Sequence, residues 1–494
     1  MSDPDTGPVG ARELSRRAVG GFLWSAASFG ASKLIVFVMT VVLARLLAPA
    51  DFGLVAAGLS VAAFLEITLD FGVGSAIIYE QERGITERVR IAFSLSLLIA
   101  VAMTGIGVAI SPFVAAYFKV PQSTAMFQVL FCYLLLRGVG LVQDAVLQRD
   151  LRYRTRTVVD ILRALGRGAA SVALAFGGQG AWAIIIGTVA GEAVAATAYC
   201  AFVRITPTWR LRGPVVKALL KFGLPLLTLN IVNTVSSEGD KMIVGGRLNP
   251  TALGQYTIAQ RLPEMLIDNV HWVFQRIAYG IYARARTGGP EMFRAAMLKA
   301  LRLVTFFGFP MGAALAVIAP SAVPVLFSPM WTPAVPTMVV LSLTAGLAAI
   351  GYASGDIFPA IGRPAALLKV TAATVGAELA VMWFVAPYGI LLVALTHLTF
   401  MIFWGPVRLH VANRLVGTTW RECLIAMRPG TLTALGIGLL GGPAALLTGP
   451  DWTGLAVTIA AGAAGGGGAV LLFDRPALAE VIALVRARGD EGDQ

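Results

Sequence analysis

Five polar side chains punctuate an otherwise apolar stretch, Arg261, Glu264, Asp268, His271 and Gln275, at i, i+3, i+7, i+10 and i+14. On an α-helix, at 100° per residue, they share an arc of about 80°. A charge at the centre of a membrane-crossing helix costs about 2.5–3.5 kcal/mol, so three of them facing lipid would cost roughly 8–10 kcal/mol, comparable to the whole stability of a domain. The stripe must therefore line an interior. Its chemistry is that of anion binding through the guanidinium, and of proton or sodium carriage through the carboxylates and the imidazole.

Other apolar stretches carry further candidates. Asn230, Asn233, Thr234, Ser237 and Lys241 fall in a similar arc, with Glu238 and Asp240 on its flanks. Earlier in the chain the polar content is thinner: Lys33, then Glu66 and Asp70, then Arg137, Asp144 and Gln148 on one helical face. The candidate substrate contacts are Lys33, Arg137, Lys241, Arg261 and Arg276 with Asn230 and Asn233, because a diphosphate withdrawn from water needs compensating positive charge. The candidate ion carriers are Asp70, Asp144, Glu264, Asp268 and His271. The competing reading of each is a structural ion pair or an interhelical hydrogen bond. Asp356, Glu378 and His397 stand alone in the sequence and read as local partners.

No His-Glu-x-x-His, phosphate-loop or Gly-x-Ser-x-Gly pattern occurs, so no catalytic residue, metal site or cofactor is expected. Cys132, Cys200 and Cys423 suit neither a metal site nor a disulfide framework. The run Gly465–Gly468 has no strand before it and reads as a close helix-packing surface.

The elements that position these residues follow from composition. The 494 residues are 57% hydrophobic and 13% charged, with a mean hydropathy of +0.77, far outside the range of soluble domains. The expected fold is all-α and integral to a membrane. A crossing takes roughly 20 apolar residues. Apolar runs place crossings near 20–46, 53–78, 91–117, 124–147, 157–177 and 181–203, then 220–247, 253–281, 300–320, 335–361, 365–386 and 389–411, with a last pair near 429–448 and 452–473. About fourteen crossings leave no room for a large soluble domain. The net charge of +12 is scattered between apolar runs rather than gathered on one face, which argues against nucleic acid. Most Lys and Arg lie in alternate connections, the first segment and the tail, so both termini are expected in the cytoplasm. The first apolar stretch lacks a short core with a cleavage site and is expected to be retained.

An internal repeat organises the crossings. Arg45-Leu-Leu-Ala-Pro-Ala-Asp-Phe-Gly53 and Arg247-Leu-Asn-Pro-Thr-Ala-Leu-Gly254 hold corresponding places. In each, the Pro is expected to stop one helix and the Gly to permit a tight reversal. A duplicated six-helix unit keeps its orientation, so the copies should be related by an axis along the membrane normal, with a cavity between them. The expected division is a segment 1–18, lobes 19–213 and 214–415, a helix pair 416–474 and a tail 475–494.

Val42-Leu-Ala-Arg-Leu-Leu-Ala-Pro-Ala-Asp-Phe-Gly53, Asp70-Phe-Gly-Val-Gly-Ser-Ala-Ile-Ile78, Leu147-Gln-Arg-Asp-Leu-Arg-Tyr-Arg154, Gly177-Gly-Gln-Gly-Ala-Trp182 and Lys221-Phe-Gly-Leu-Pro225 resemble, in order, Wzx-type polysaccharide flippases. The likeness covers roughly residues 15–415. It implies the fold of the multidrug, oligosaccharidyl-lipid and polysaccharide exporter superfamily: two six-helix lobes opening alternately to the two membrane faces. The implied substrate is a polyprenyl diphosphate-linked oligosaccharide flipped to the outer leaflet of a bacterial inner membrane. The implied partners are membrane lipids and the polymerase and glycosyltransferases of the same pathway. A peptidoglycan-precursor flippase or a multidrug exporter would share the topology. A membrane-embedded glycosyltransferase is the rival from another class, though such enzymes usually carry a large outside loop.

Overall fold

The computed structural model describes residues 33–70, 85–208, 213–268, 289–355, 357–360 and 364–473, with isolated positions 74, 77 and 282. Helices follow one another throughout: α1 (33–46), α2 (Pro49–Asp70), α3 (Ile85–Tyr117), α4 (Thr124–Phe131), α5 (Tyr133–Arg149), α6 (Tyr153–Phe176), α7 (Ala181–Phe202), α8 (Gly213–Arg247), α9 (Pro250–Pro263), α10 (Pro290–Leu326), α11 (Val335–Gly355), α12 (Pro364–Val385), α13 (Ile390–Val416), α14 (Trp420–Leu447) and α15 (Trp452–Phe473). No strand occurs among the described residues. The hitch at Cys132 divides α4 from α5 within a single apolar crossing, Pro121–Arg149. Among the described residues, ten helices are long and apolar enough to cross a membrane.

Several helices outrun the apolar stretches that announced them. α10 begins at Pro290 rather than near 300, and α14 at Trp420 rather than near 429. Hydropathy marks only the lipid-depth part of a helix, whereas its ends are fixed by capping. Thr419 and Glu422 form a reciprocal capping box at the start of α14, and Pro290 with Glu291 suits the first turn of α10.

The chain forms two compact units, one comprising residues 1–47 and 57–238, the other 48–56 and 239–494. In the first, α6 and α7 cross closely. A Cβ added to Gly187 would collide with the Ser171 hydroxyl, and one on Gly191 would lie 2.7 Å from the Arg167 Cβ. Buried Leu147, Val159, Ala195 and Tyr199 pack beside that crossing. In the second unit, α14 and α15 are not an appendage. Gly430 abuts the Thr305 backbone of α10, while Gly436 and Gly465 abut each other. Of the glycine run, Gly465 and Gly466 meet α14, and nothing lies within 4 Å of a Cβ on Gly467 or Gly468. Small residues thus bring backbones together without a hydrophobic drive, as lipid requires.

The repeated Pro and Gly play parts other than those expected of them. Pro49 and Pro250 start α2 and α9 rather than stopping the preceding helices, and Asn249 caps α9 by accepting from the Ala252 N–H at 2.8 Å. Gly53 and Gly254 are helical, with no positive φ. A Cβ on Gly53 would strike the Pro250 carbonyl, and one on Gly254 the Pro49 carbonyl. These positions, all within the second unit, serve mutual close approach and not chain reversal.

Candidate functional site

The first unit encloses a cavity of about 530 Å³. α2 contributes Glu66; α5 contributes Arg137, Asp144 and Gln148; α6 contributes Arg156, Asp160 and Arg163; and α7 contributes Tyr199. Arg137 and Asp144 are two turns apart on α5, and Arg156, Asp160 and Arg163 repeat at four and three residues along α6, so each helix presents one polar face. The close α6–α7 crossing brings Glu192 to Arg163.

Every guanidinium here faces a carboxylate. Arg137 Nε lies 3.0 Å from Glu66 and its Nη1 3.7 Å from Glu192. Arg163 lies 3.3 Å from Glu192 and 3.1 Å from Asp160. Arg156 Nε donates to Asp144 at 2.7 Å, and the same carboxylate accepts from the Tyr199 hydroxyl at 3.0 Å and from Gln148 Nε2 at 2.8 Å. The Tyr133 hydroxyl donates to Glu66 at 3.0 Å. The lining is therefore charge-balanced rather than cationic. Arg137, Arg156, Glu66 and Asp160 nevertheless keep 35%, 38%, 36% and 38% of their side-chain surface open. Charged groups held together by exchangeable pairs can bind a polar anion by trading partners, because a guanidinium fits phosphate oxygens as well as carboxylate oxygens.

The second unit holds a tighter cluster. Buried Asp240 of α8 accepts from the Tyr256 hydroxyl at 2.8 Å and from Gln260 Nε2 at 2.6 Å, both on α9. Lys241 lies 3.6 Å from Glu264. His397 Nδ1 of α13 lies 2.6 Å from Glu378 Oε1 of α12. Gly239 admits Leu379 against the α8 backbone, which brings α12 beside Asp240.

The sequence-derived candidates thus separate. Arg137, Asp144 and Gln148 line one cavity, and Lys241 and Glu264 pair. Lys33, Asn230 and Asn233 are exposed, and Arg261 is half-buried at the end of α9. After Pro263 the chain makes a π turn, Glu264–Asp268, which departs from 100° per residue within the Arg261–Gln275 stripe. The side chains of Asp70 and Asp268, and residues His271, Gln275, Arg276 and Asp356, lie outside the described residues. Sequence reasoning missed Arg156, Asp160, Arg163 and Glu192. The α6 periodicity held that signal, but the basic stretch ending at Arg156 reads equally as a cytoplasmic loop. Glu378 and His397, isolated in sequence, meet in space.

Solved structures share this architecture. The lipid II flippase MurJ in an inward closed conformation matches with a TM-score of 0.75 at 12% identity, over 92% of this chain and all of that one. An inward-facing multidrug resistance MATE family transporter of the MOP superfamily matches with a TM-score of 0.65 at 15% identity, over 77% and 96%. Helices of this length and apolarity define a multi-pass membrane protein, and the likeness shows that its fold is the one these MOP-superfamily structures share. Residues 42–336 match the family described as polysaccharide biosynthesis protein, and the chain belongs to it. Its relatives include the teichuronic acid biosynthesis protein TuaB of Bacillus subtilis (strain 168), 24% identical over 71% of this chain and 72% of the relative. The succinoglycan biosynthesis transport protein ExoT of Rhizobium meliloti (strain 1021) is 25% identical over 69% and 68%. The lipopolysaccharide biosynthesis protein WzxC of Escherichia coli (strain K12) is 22% identical over 71% of each. The resemblance read from the motifs holds.

Proposed function

We propose that this protein is a flippase that carries a polyprenyl diphosphate-linked oligosaccharide from the cytoplasmic to the outer leaflet of a bacterial inner membrane, with both termini cytoplasmic, for cell-surface polysaccharide biosynthesis. It acts as a carrier, not a catalyst, by exposing its site alternately to each face. Family membership supplies the pathway. The observation that carries the reading is the lined cavity of the first unit: three guanidiniums on α5 and α6, each held by a carboxylate that an arriving diphosphate can displace. A volume of about 530 Å³ falls within the roughly 300–1,000 Å³ typical of small-ligand sites. It would receive a headgroup while the polyprenyl chain stays in lipid. The displaced carboxylates would recover their guanidiniums when cargo leaves, which favours release over trapping. Arg261, Lys241 and Glu264 form a second candidate polar surface, and the polymerase and glycosyltransferases of the pathway are the candidate partners.

The test follows lipid-linked oligosaccharide in cells depleted of the chromosomal copy. Wild-type protein restores surface polymer. Arg137→Ala, inserted at normal levels, lowers export about tenfold or more and leaves the lipid-linked intermediate on the cytoplasmic leaflet. Export unimpaired in Arg137→Ala, Arg156→Ala and Arg261→Ala would remove the site. A block of cell-wall precursor with surface polymer intact would favour a lipid II-type cargo.

A further inference from the structure

The cluster in the second unit contains a pair for which the cavity of the first has no use. His397 Nδ1 and Glu378 Oε1 are 2.6 Å apart. At that separation the two groups are in direct contact and form an ion pair whenever the ring is protonated. A metal ion bridging the two would need a bond of about 2 Å to each and would spread them apart. Imidazole is also the one side chain whose ordinary charge change falls between pH 5 and 8.

Carboxylates lie on the ring's side of α12 and α8. Glu378 keeps 14% of its side-chain surface open and His397 33%, so the ring is the more open partner. Asp240 lies within electrostatic reach of His397. Beyond it stand Tyr256, the Glu264–Lys241 pair and, in the last turn of α9, Arg261. Helix α11, packed against α13, offers no titratable group except Tyr352. The charges of α10 (Glu291, Arg294, Lys299 and Arg302) belong to the other end, since Arg294 pairs with Glu422 and Met297 meets Thr418 just past the end of α13. His397 sits eight residues from Gly389, about 12 Å below the end of its helix.

We infer that His397 and Glu378, with Asp240 beside them, form a proton-binding site, and that protons passing through it down their gradient drive the flipping proposed above; the second clause rests on that reading, the first does not. Loading places a positive charge on the ring between Glu378 and Asp240, and unloading withdraws it. A cycle of that kind changes the electrostatics of α8, α9, α12 and α13 together while leaving the guanidinium cavity to the cargo.

The chain has three histidines, so histidine-selective isotope labelling of the full-length protein in lipid nanodiscs gives few NMR signals to follow with pH. The expected result is one imidazole that titrates, is absent from His397→Gln, and shifts its midpoint by about one pH unit or more, roughly tenfold in proton affinity, in Glu378→Gln. A retained cooperative thermal unfolding transition in both variants verifies folding. A His397 signal that holds one charge state from about pH 4 to pH 10, or a midpoint indifferent to Glu378→Gln, overturns the site. In vesicles carrying lipid-linked oligosaccharide, collapse of the pH gradient slows wild-type flipping about tenfold and leaves His397→Gln at its already slow rate. Wild-type flipping that ignores the gradient overturns the coupling. If wild-type protein moves no lipid-linked oligosaccharide under any gradient, the flippase reading fails, and the titration alone decides the proton site.

Discussion

The two units handle buried charge in opposite ways. The first spreads three guanidiniums and three carboxyl groups around an open cavity, with Asp144 taking three donors and Glu192 shared by two of the guanidiniums. The second sequesters Asp240 behind a tyrosine and a glutamine and keeps the Glu378–His397 pair small. Redundant pairing lets one contact break while the others hold, which suits binding and release of a large polar headgroup. Sparse pairing makes each protonation count. On the proposed reading, cargo binding belongs to the first unit and proton binding to the second.

Substitutions can break that contrast. The largest effect belongs to Glu192→Ala, which leaves Arg137 with one partner fewer and Arg163 with Asp160 alone. Loss of a partner from a buried ionic pair costs about 3–5 kcal/mol, so the melting temperature of the purified protein should fall markedly, with Glu192→Gln intermediate. A milder loss is expected of Tyr256→Phe, about 1–3 kcal/mol, because buried Asp240 then keeps only Gln260 and the neighbouring Lys241 backbone N–H. Tyr199→Phe should cost about 1 kcal/mol or less, since Asp144 retains Arg156 and Gln148. Equal melting shifts for the two tyrosine variants would erase the distinction between redundant and sparse pairing. The smallest effect lies outside both clusters. Asp451, in the last connection, accepts from the Gly454 N–H and the Thr453 hydroxyl, which hold its carboxyl below the usual carboxylate range. Its contribution is complete above an unfolded value near pH 3.9 and fades as pH falls through the lower folded value. The gap in unfolding midpoint between wild type and Asp451→Asn should therefore be constant from about pH 7 to pH 5 and close only in stronger acid.

The long apolar crossings were legible in the sequence because lipid leaves the backbone no partner but itself, so α7, α13 and α15 begin and end close to their apolar runs. The starts of α10 and α14 were less so, since capping and not hydropathy sets them. On α5, one helical face sufficed to group Arg137 with Asp144 and Gln148. Arg156 escaped because one basic residue serves topology and ion pairing alike. Glu378 and His397 could not be joined at all: nineteen positions and a helix reversal separate them, and no periodicity within either helix points to the other.

The reciprocal approach of Gly53 and Gly254 carries a thermodynamic consequence. Each glycine makes room for the carbonyl that begins the other's helix, so one gap serves both. Alanine at either position should force the same separation, and once one methyl has opened it the second enters at little added penalty. A double-mutant cycle should then be strongly non-additive, with a coupling energy of about 0.5–3 kcal/mol, as for residues in direct contact. Evolution would feel the same arithmetic: losing either glycine relaxes the demand on its twin, so the two positions should drift together.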